Sequence, residues 1–408
     1  MFLLLTTLVL SSCQSSNKSV NGLRLIAKGA TIHRFFDTSP ISPSGKYIAL
    51  FRFPDEGRSP RPGDVGHVVV LDLKSGKEVF SVPSRGWEMQ LAANVQWGAT
   101  DEHLFYNDVD PHTWDAYAVD MNFKTGESRR CAGTVFMVAP DGSNLLSYNL
   151  VKSRYAQVGY GVVVPDSVAL RNVGPVADDG IYLTDLKTNT CKMIASISDI
   201  YRQSVPSIAV DHPEDYEYYC FQVKWNPQGT RLLTTIQWTP RTGGDRRRAV
   251  ITMLPDGTDI HTAITPDQWA KGGHHINWMP DGEHLSMNLN IDNKAGVEII
   301  SVRYDGTDLK QIYPIGSGHP SADPTGRPLF VTDAYAGEMS LPNGKTPIRL
   351  IDLARQSERN LAEIDLPPIR NFEFRVDAHP VWSRDGKSVV FNALVDSTRS
   401  VYMVDVKK

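Results

Sequence analysis

One turn signature, recurring seven times, constrains this chain more than any other feature. A small residue or Asp precedes a Gly, and a β-rich run follows. It reads SPSGKYIAL from Ser42, WGATDEHLFY from Trp97, APDGSNLLS from Ala139 and WNPQGTRLLT from Trp225. It continues as WMPDGEHLSM from Trp278, ADPTGRPLFV from Ala322 and WSRDGKSVVF from Trp382. Each is followed by an apolar strand that ends in Asp: Asp72, Asp120, Asp185, Asp256, Asp305, Asp352 and Asp405. A hairpin turn and an outward strand, repeated at roughly 40–60 residues, fit a propeller blade of four antiparallel strands. The expected fold is all-β, a seven-bladed propeller over residues 25–408, with six or eight blades as the structural competitors. No long stretch carries a helical period, apart from a short turn at Pro266–Ala270. One spacing, Ala139 to Trp225, is much longer. It holds VPDSVALRNVGPVADDG and YRQSVPSIAVDHPEDYEYY, insertions expected to form rim loops over one face.

Composition agrees. The 408 residues are 41% hydrophobic, enough for a large core. The net charge is −4 with no basic block, which argues against nucleic-acid binding. The one long apolar stretch, MFLLLTTLVLSSC, is too short to span a bilayer and reads as a signal-peptide segment. It ends in Leu10-Ser11-Ser12-Cys13, which resembles a bacterial lipoprotein box, with Cys13 as the lipidated residue. Residues 1–24 are thus expected to be signal and tether, and the protein a monomer of the cell envelope, periplasm or cell surface that meets the membrane only through its lipid. Cys131, Cys191 and Cys220 remain, an odd number without metal-ligand spacing.

Aligning the signatures places every blade's inner strand in one frame. The slot near one end of that strand is occupied by Thr38, Asn94, Phe136, Gln222, His275, His319 and His379. Inner strands line the channel, so three adjacent blades present histidines side by side, flanked by Gln222 and Asn94. Three protonated imidazoles would repel one another, and neutral rings around a divalent metal are a natural arrangement. Asp333 could complete a His/His/Asp set with His319 and His379, and Asp377 could support His379 from behind. A metal-free catalytic or binding role, or a plain polar plug, would also use such a ring.

Longer segments carry a resemblance. IHRFFDTSPISPSGKYIALFR, SYNLVKSRYAQVGYG, GGHHINWMPDGEHL, GSGHPSADPTGRPLFVTDAY and FRVDAHPVWSRDGKSVVFN together resemble the propeller polysaccharide lyases of the ulvan-lyase type. A looser similarity links them to oligogalacturonate lyases, and the PDG turns are shared with TolB-like propellers. The resemblance implies cleavage of an anionic, uronate-containing polysaccharide by β-elimination. It also implies a divalent metal, often zinc, with manganese and calcium as alternatives, held by histidines and an acidic or thiol residue. His319, Asp333 and His379 match that metal site. The family's catalytic groups are histidines with a tyrosine and an arginine. The chain departs from the pattern at Arg154 and at Phe221-Gln222, where relatives carry histidines.

Elimination at a uronate needs a group that neutralises the carboxylate, a base for the C5 proton and an acid for the departing oxygen. Arg154 and Arg375 suit the first task. His275, Tyr160 and Tyr219 suit proton transfer. Gln90, Asn94 and Gln222 could bind sugar hydroxyls, and Trp87 and Trp114 could stack on sugar faces. Glu88, Asp333 and Asp377 leave open a glycoside hydrolase, which needs two facing carboxylates. A serine peptidase is disfavoured, since the chain has no G-x-S-x-G elbow. The remaining alternative is a non-catalytic, envelope-associated propeller that binds glycan or protein.

Overall fold

Seven four-stranded antiparallel sheets surround a central channel. The computed structural model describes residues 22–335, 338–366 and 371–406. Cys13 and the rest of the expected signal segment up to residue 21 lie outside the described residues. Six blades run from inner to outer strand in chain order. The first comprises Thr31–Ile32, Tyr47–Arg52, Gly66–Asp72 and Glu78–Ser84. The seventh takes Val381–Trp382, Ser388–Val395 and Thr398–Asp405, and its outermost strand is Leu23–Lys28 from the other end of the chain. Leu23 pairs with Val404 and Lys28 with Ser400, which closes the ring by joining both ends of the chain in one blade.

The repeated residues explain the repeated fold. Trp97, Trp278 and Trp382 each donate an indole N–H to a backbone carbonyl of the preceding blade, at Pro40, Lys224 and Ser321. The signature tryptophan therefore locks neighbouring blades together as well as filling the gap between them. The strand-ending aspartates cap the outer turns: Asp72 accepts the Ser75 N–H, Asp185 that of Thr188 and Asp352 that of Arg355. The expected turn at Pro266–Ala270 is a short helix, closed by a capping box of Thr265 and Gln268.

Two departures from the period shape the channel. In the first blade the segment after Ile32 leaves the sheet and crosses the channel. Arg34, Asp37 and Lys224 form an ion-paired group with side chains at most 1% exposed. Arg34 also donates to Asn94 Oδ1 at 3.1 Å and to the Phe136 carbonyl at 2.6 Å. Phe35 and Phe36 are fully buried, with Lys224 Nζ 5.1 and 4.5 Å from their ring centroids. The channel is thus plugged midway. The second departure is the insertion in the third blade, whose residues 157–161 fold over one mouth. There Val158 and Gly161 meet Arg375 and Glu88.

Candidate functional site

Toward one end of the channel the imidazoles of His275, His319 and His379 gather against Phe35 in a well, where His275 and Tyr335 are half-buried. Near that end an inner-strand residue adopts the left-handed conformation in four blades: Asn94 (φ 54°), Gln222 (φ 58°), His275 (φ 62°) and His379 (φ 48°). Non-glycine residues seldom hold this conformation without compensation. Here it accompanies a break in strand pairing, between Phe221 and Val223 and between His274 and Asn277, which re-aims the side chain. In the sixth blade Gly318 (φ 61°) takes the turn, and His319 follows. A Cβ on Gly318 would stand 2.3 Å from Asp333 Oδ1, so glycine is what lets that carboxylate close on His319.

Three imidazoles meet in the well. The ring centroids of His275 and His319 are 3.8 Å apart, and those of His319 and His379 are 4.4 Å apart. His275 Nδ1 lies 2.7 Å from the Gly318 carbonyl, so it carries the proton and Nε2 keeps its lone pair. His319 Nδ1 faces both oxygens of Asp333, which fixes the same tautomer. The two Nε2 atoms converge on the Tyr335 hydroxyl, 3.4 Å from each. Burial, then the neighbouring His319 and His274 rings, holds His275 well below the ordinary histidine range. Burial, then His319 and His33, does the same to His379. His319 and His379 are sealed at 0% and 1% exposure, whereas His275 is half-buried and lies on the open side. Burial pushes the Tyr335 phenol upward, keeping it a neutral donor.

The same rings offer a metal site. His319, Asp377 and His379 each turn a ligand atom toward a common region, all within 4.8 Å of one another. Both ring nitrogens of His379 are buried without a hydrogen-bond partner among the described residues, an expensive state that a cation would relieve. Imidazoles with a carboxylate suit a first-row divalent metal such as manganese or zinc. Calcium, which takes oxygen ligands, fits this set poorly. Asp333 sits on the far nitrogen of His319, behind the ring. Asp377 stands beside His379, 3.8 Å from its Nε2. The geometry thus exchanges the positions that the sequence suggested for the two aspartates.

The other expected residues divide into two groups. Arg375 and Tyr160 border the well. The Arg375 guanidinium is occupied by Asp377 at 2.9 Å, the Tyr160 hydroxyl at 3.2 Å and the carbonyls of Val158 and Phe372. Gln90 donates to the carbonyls of Glu373 and Arg375, which ties the roof to the second blade. Asn94 is taken up by Arg34, and buried Gln222 accepts from Thr234 through its carbonyl. Tyr219 and Arg154 stand apart from the histidines. Tyr219 is 3% exposed in the core beneath the insertion, bonded to Glu217 and the Asn172 N–H. Arg154 binds the Val164 carbonyl, the Tyr155 hydroxyl and Asp166. Trp87 packs on Phe51 and Phe53, and Trp114 packs against the core of the third and fourth blades.

Two residues escaped the sequence frame. In the first blade Thr38, the expected occupant of the slot, instead bonds Arg34 and Asp37 in the plug. His33 takes the place beside His379, 1% exposed, with burial pushing its pKa down to about 3. Tyr335 is the other; it lies two residues after Asp333, at the end of the neighbouring strand. Glu88 is also buried here, its carboxyl pushed up to about 8 by burial. It accepts the Gly161 N–H through Oε2, while Oε1 and the nearby Tyr148 hydroxyl have no partner among the described residues.

Solved structures share the whole architecture. An oligogalacturonate lyase in complex with manganese superposes with a TM-score of 0.63 at 14% identity, over 95% of this chain and 93% of that one. An oligogalacturonate lyase from Vibrio parahaemolyticus gives 0.61 at 11% identity, over 95% and 94%. The β-propeller domain of the Trilobed protease from Pyrococcus furiosus gives 0.53 at 8% identity, over 92% and 96%. These likenesses show the seven-bladed fold, which lyases and other proteins share. No family model matches the chain, and no curated protein matches it.

Proposed function

We propose that this propeller is a polysaccharide lyase that cleaves a uronate-bearing glycan by β-elimination in the histidine well. The observation that carries the reading is the meeting of His275 Nε2 and the Tyr335 hydroxyl on the open side of the buried His319–Asp377–His379 group. A bound divalent cation, zinc or manganese, would be held by His319, His379 and Asp377 and would supply a positive charge for the uronate carboxylate. Asp333 holds the tautomer of His319.

His275 is the base. Its Nδ1 proton is committed to the Gly318 carbonyl, so Nε2 is free to take the C5 proton. The C5–H electrons form the C4–C5 double bond, and the C4–oxygen bond breaks. The leaving oxygen takes its proton from Tyr335, a neutral phenol 3.4 Å from His275 Nε2, and His275 returns the proton to Tyr335 when the products leave. Arg375 and Tyr160 position Asp377 and the roof. The segments GSGHPSADPTGRPLFVTDAY and FRVDAHPVWSRDG favour the ulvan-lyase type within this class. The leader favours a lipid-anchored monomer at the cell envelope.

One observation favours the competing reading of a non-catalytic glycan- or protein-binding propeller: Arg375, which borders the well, has its guanidinium engaged by protein groups. Incubation of metal-supplied protein with polygalacturonate, ulvan and glucuronate-bearing glycans separates the two. A rise in ultraviolet absorbance from unsaturated uronate ends, lost in His275→Ala, supports the lyase. No rise on any of them leaves the binding propeller.

A further inference from the structure

A second cleft opens on the same face as the well. The inner strand Gly273–Trp278 starts on that face, because His275 near its start lies at the well's mouth and Trp278 at its end joins the far turn. The cleft, a cavity of about 750 Å³, ends on Gly273, two residues before His275. Tyr216 and Trp269 form its walls, and Trp269 is fixed by its indole N–H to the Gly273 carbonyl at 2.8 Å.

Arg246 and Arg248 line this cleft. Arg248 lies on the strand Arg247–Met253 and Arg246 immediately precedes it. Being two residues apart in extended backbone, they share a face, and the exposed Arg247 between them also lines the cleft. Both are half-buried, and among the described residues neither forms an ion pair, although Asp245 and Asp267 also border the cleft. Arg246 reaches Gln237 Oε1 at 3.3 Å through one terminal nitrogen, and its Nε is buried without a partner among the described residues. Arg248 stacks toward Trp269, 5.8 Å from the ring centroid. Burial, then the charge of Arg246, depresses Arg248 to about 10. Two like charges, half-buried side by side with no ion-paired carboxylate among the described residues, are unfavourable for the fold alone. A planar fork of donors with an empty cavity before it is what an oxyanion requires.

We propose that this cleft is an anion subsite, in which Arg246 and Arg248 hold a second acidic substituent of the glycan, a carboxylate or a sulfate ester, while the bond to be cut lies at the histidines. The link to cleavage rests on the lyase reading; the anion site itself does not.

The test is equilibrium binding of polygalacturonate, dextran sulfate and neutral dextran to the wild type and to the double variant Arg246→Gln/Arg248→Gln. The wild type should bind one or both polyanions and not dextran, and the response to each polyanion separates carboxylate from sulfate ester. The double variant should bind at least about tenfold more weakly. Its melting temperature should match or exceed that of the wild type, because two unpaired charges have been removed. Arg246→Lys/Arg248→Lys, which keeps the charge, should recover part of the affinity. Equal polyanion binding by wild type and double variant overturns the subsite, and so does a large loss of melting temperature, which would make the arginines structural. If no glycan is cleaved yet the double variant loses binding, the subsite stands and the lyase reading falls.

Discussion

His319 and Asp333 form a fully buried pair, with Nδ1 of the imidazole 2.9 and 3.0 Å from the two carboxylate oxygens. Asp333 Oδ1 also accepts the His319 backbone N–H at 2.7 Å, so ring and backbone are gripped by one carboxylate. The grip leaves Nε2 of His319 as the only nitrogen that can face the well. Asp333→Asn keeps the shape and loses the negative acceptor. Metal affinity, read by titration with zinc and manganese, should fall by about 10–100-fold, with the protein still folded. Unchanged affinity would remove Asp333 from the site.

Tyr335→Phe deletes one hydroxyl at the focus of two imidazoles. As the proton donor to the leaving oxygen, it should lower kcat by about 10²–10⁴-fold and leave KM and bound metal nearly unchanged. Steady-state kinetics on a uronate glycan and metal analysis of the same preparation check this. A variant that loses metal instead would make Tyr335 part of the metal's support.

Glu88 gives the fold a pH dependence. Its folded carboxyl is pushed to about 8, against an ordinary value of 4.5, so the folded chain holds a proton that the unfolded chain releases. The stability linked to this group is fully present below pH 4.5 and is lost as pH rises through about 8, by at most about 5 kcal/mol. Glu88→Gln mimics the neutral acid and should flatten the fall across that window in urea unfolding. Parallel wild-type and variant curves would contradict it.

Lys224 and Asp37 make the plug a folding element. Lys224→Met leaves the Arg34–Asp37 pair balanced, whereas Asp37→Asn strands two buried cations, Arg34 and Lys224, and should cost about 3–5 kcal/mol. Adding Lys224→Met to Asp37→Asn removes one of the two stranded cations and should recover part of that loss, as thermal unfolding of wild type, Asp37→Asn and the double variant would show. A double variant no more stable than the single would argue against coupling.

Much of this was legible in the sequence because a propeller repeats its constraints. The tryptophan that reaches the preceding blade and the aspartate that caps the outer turn recur as letters at fixed places, so the blade count and the positions of His275, His319 and His379 could be read from one frame. The frame failed where the chain leaves the period. Residues 33–37 cross the channel, which moves His33 to the well and Thr38 into the plug. Tyr335 was hidden because it belongs to a second strand, whose end the turn signature does not index, although it stands two residues from Asp333 in the same segment. Tyr219 and Arg154 were chosen by likeness and by residue type. Both lie in or under the insertion, where no repeat fixes the direction of a side chain.

The central claim is that three distant histidines form one metal-holding, catalytic well. Metal analysis of the purified wild type beside His319→Ala, both shown to be folded by their melting transitions, tests it most directly. The account predicts stoichiometric zinc or manganese in the wild type and its loss in the variant. Equal metal content in the two proteins would contradict it.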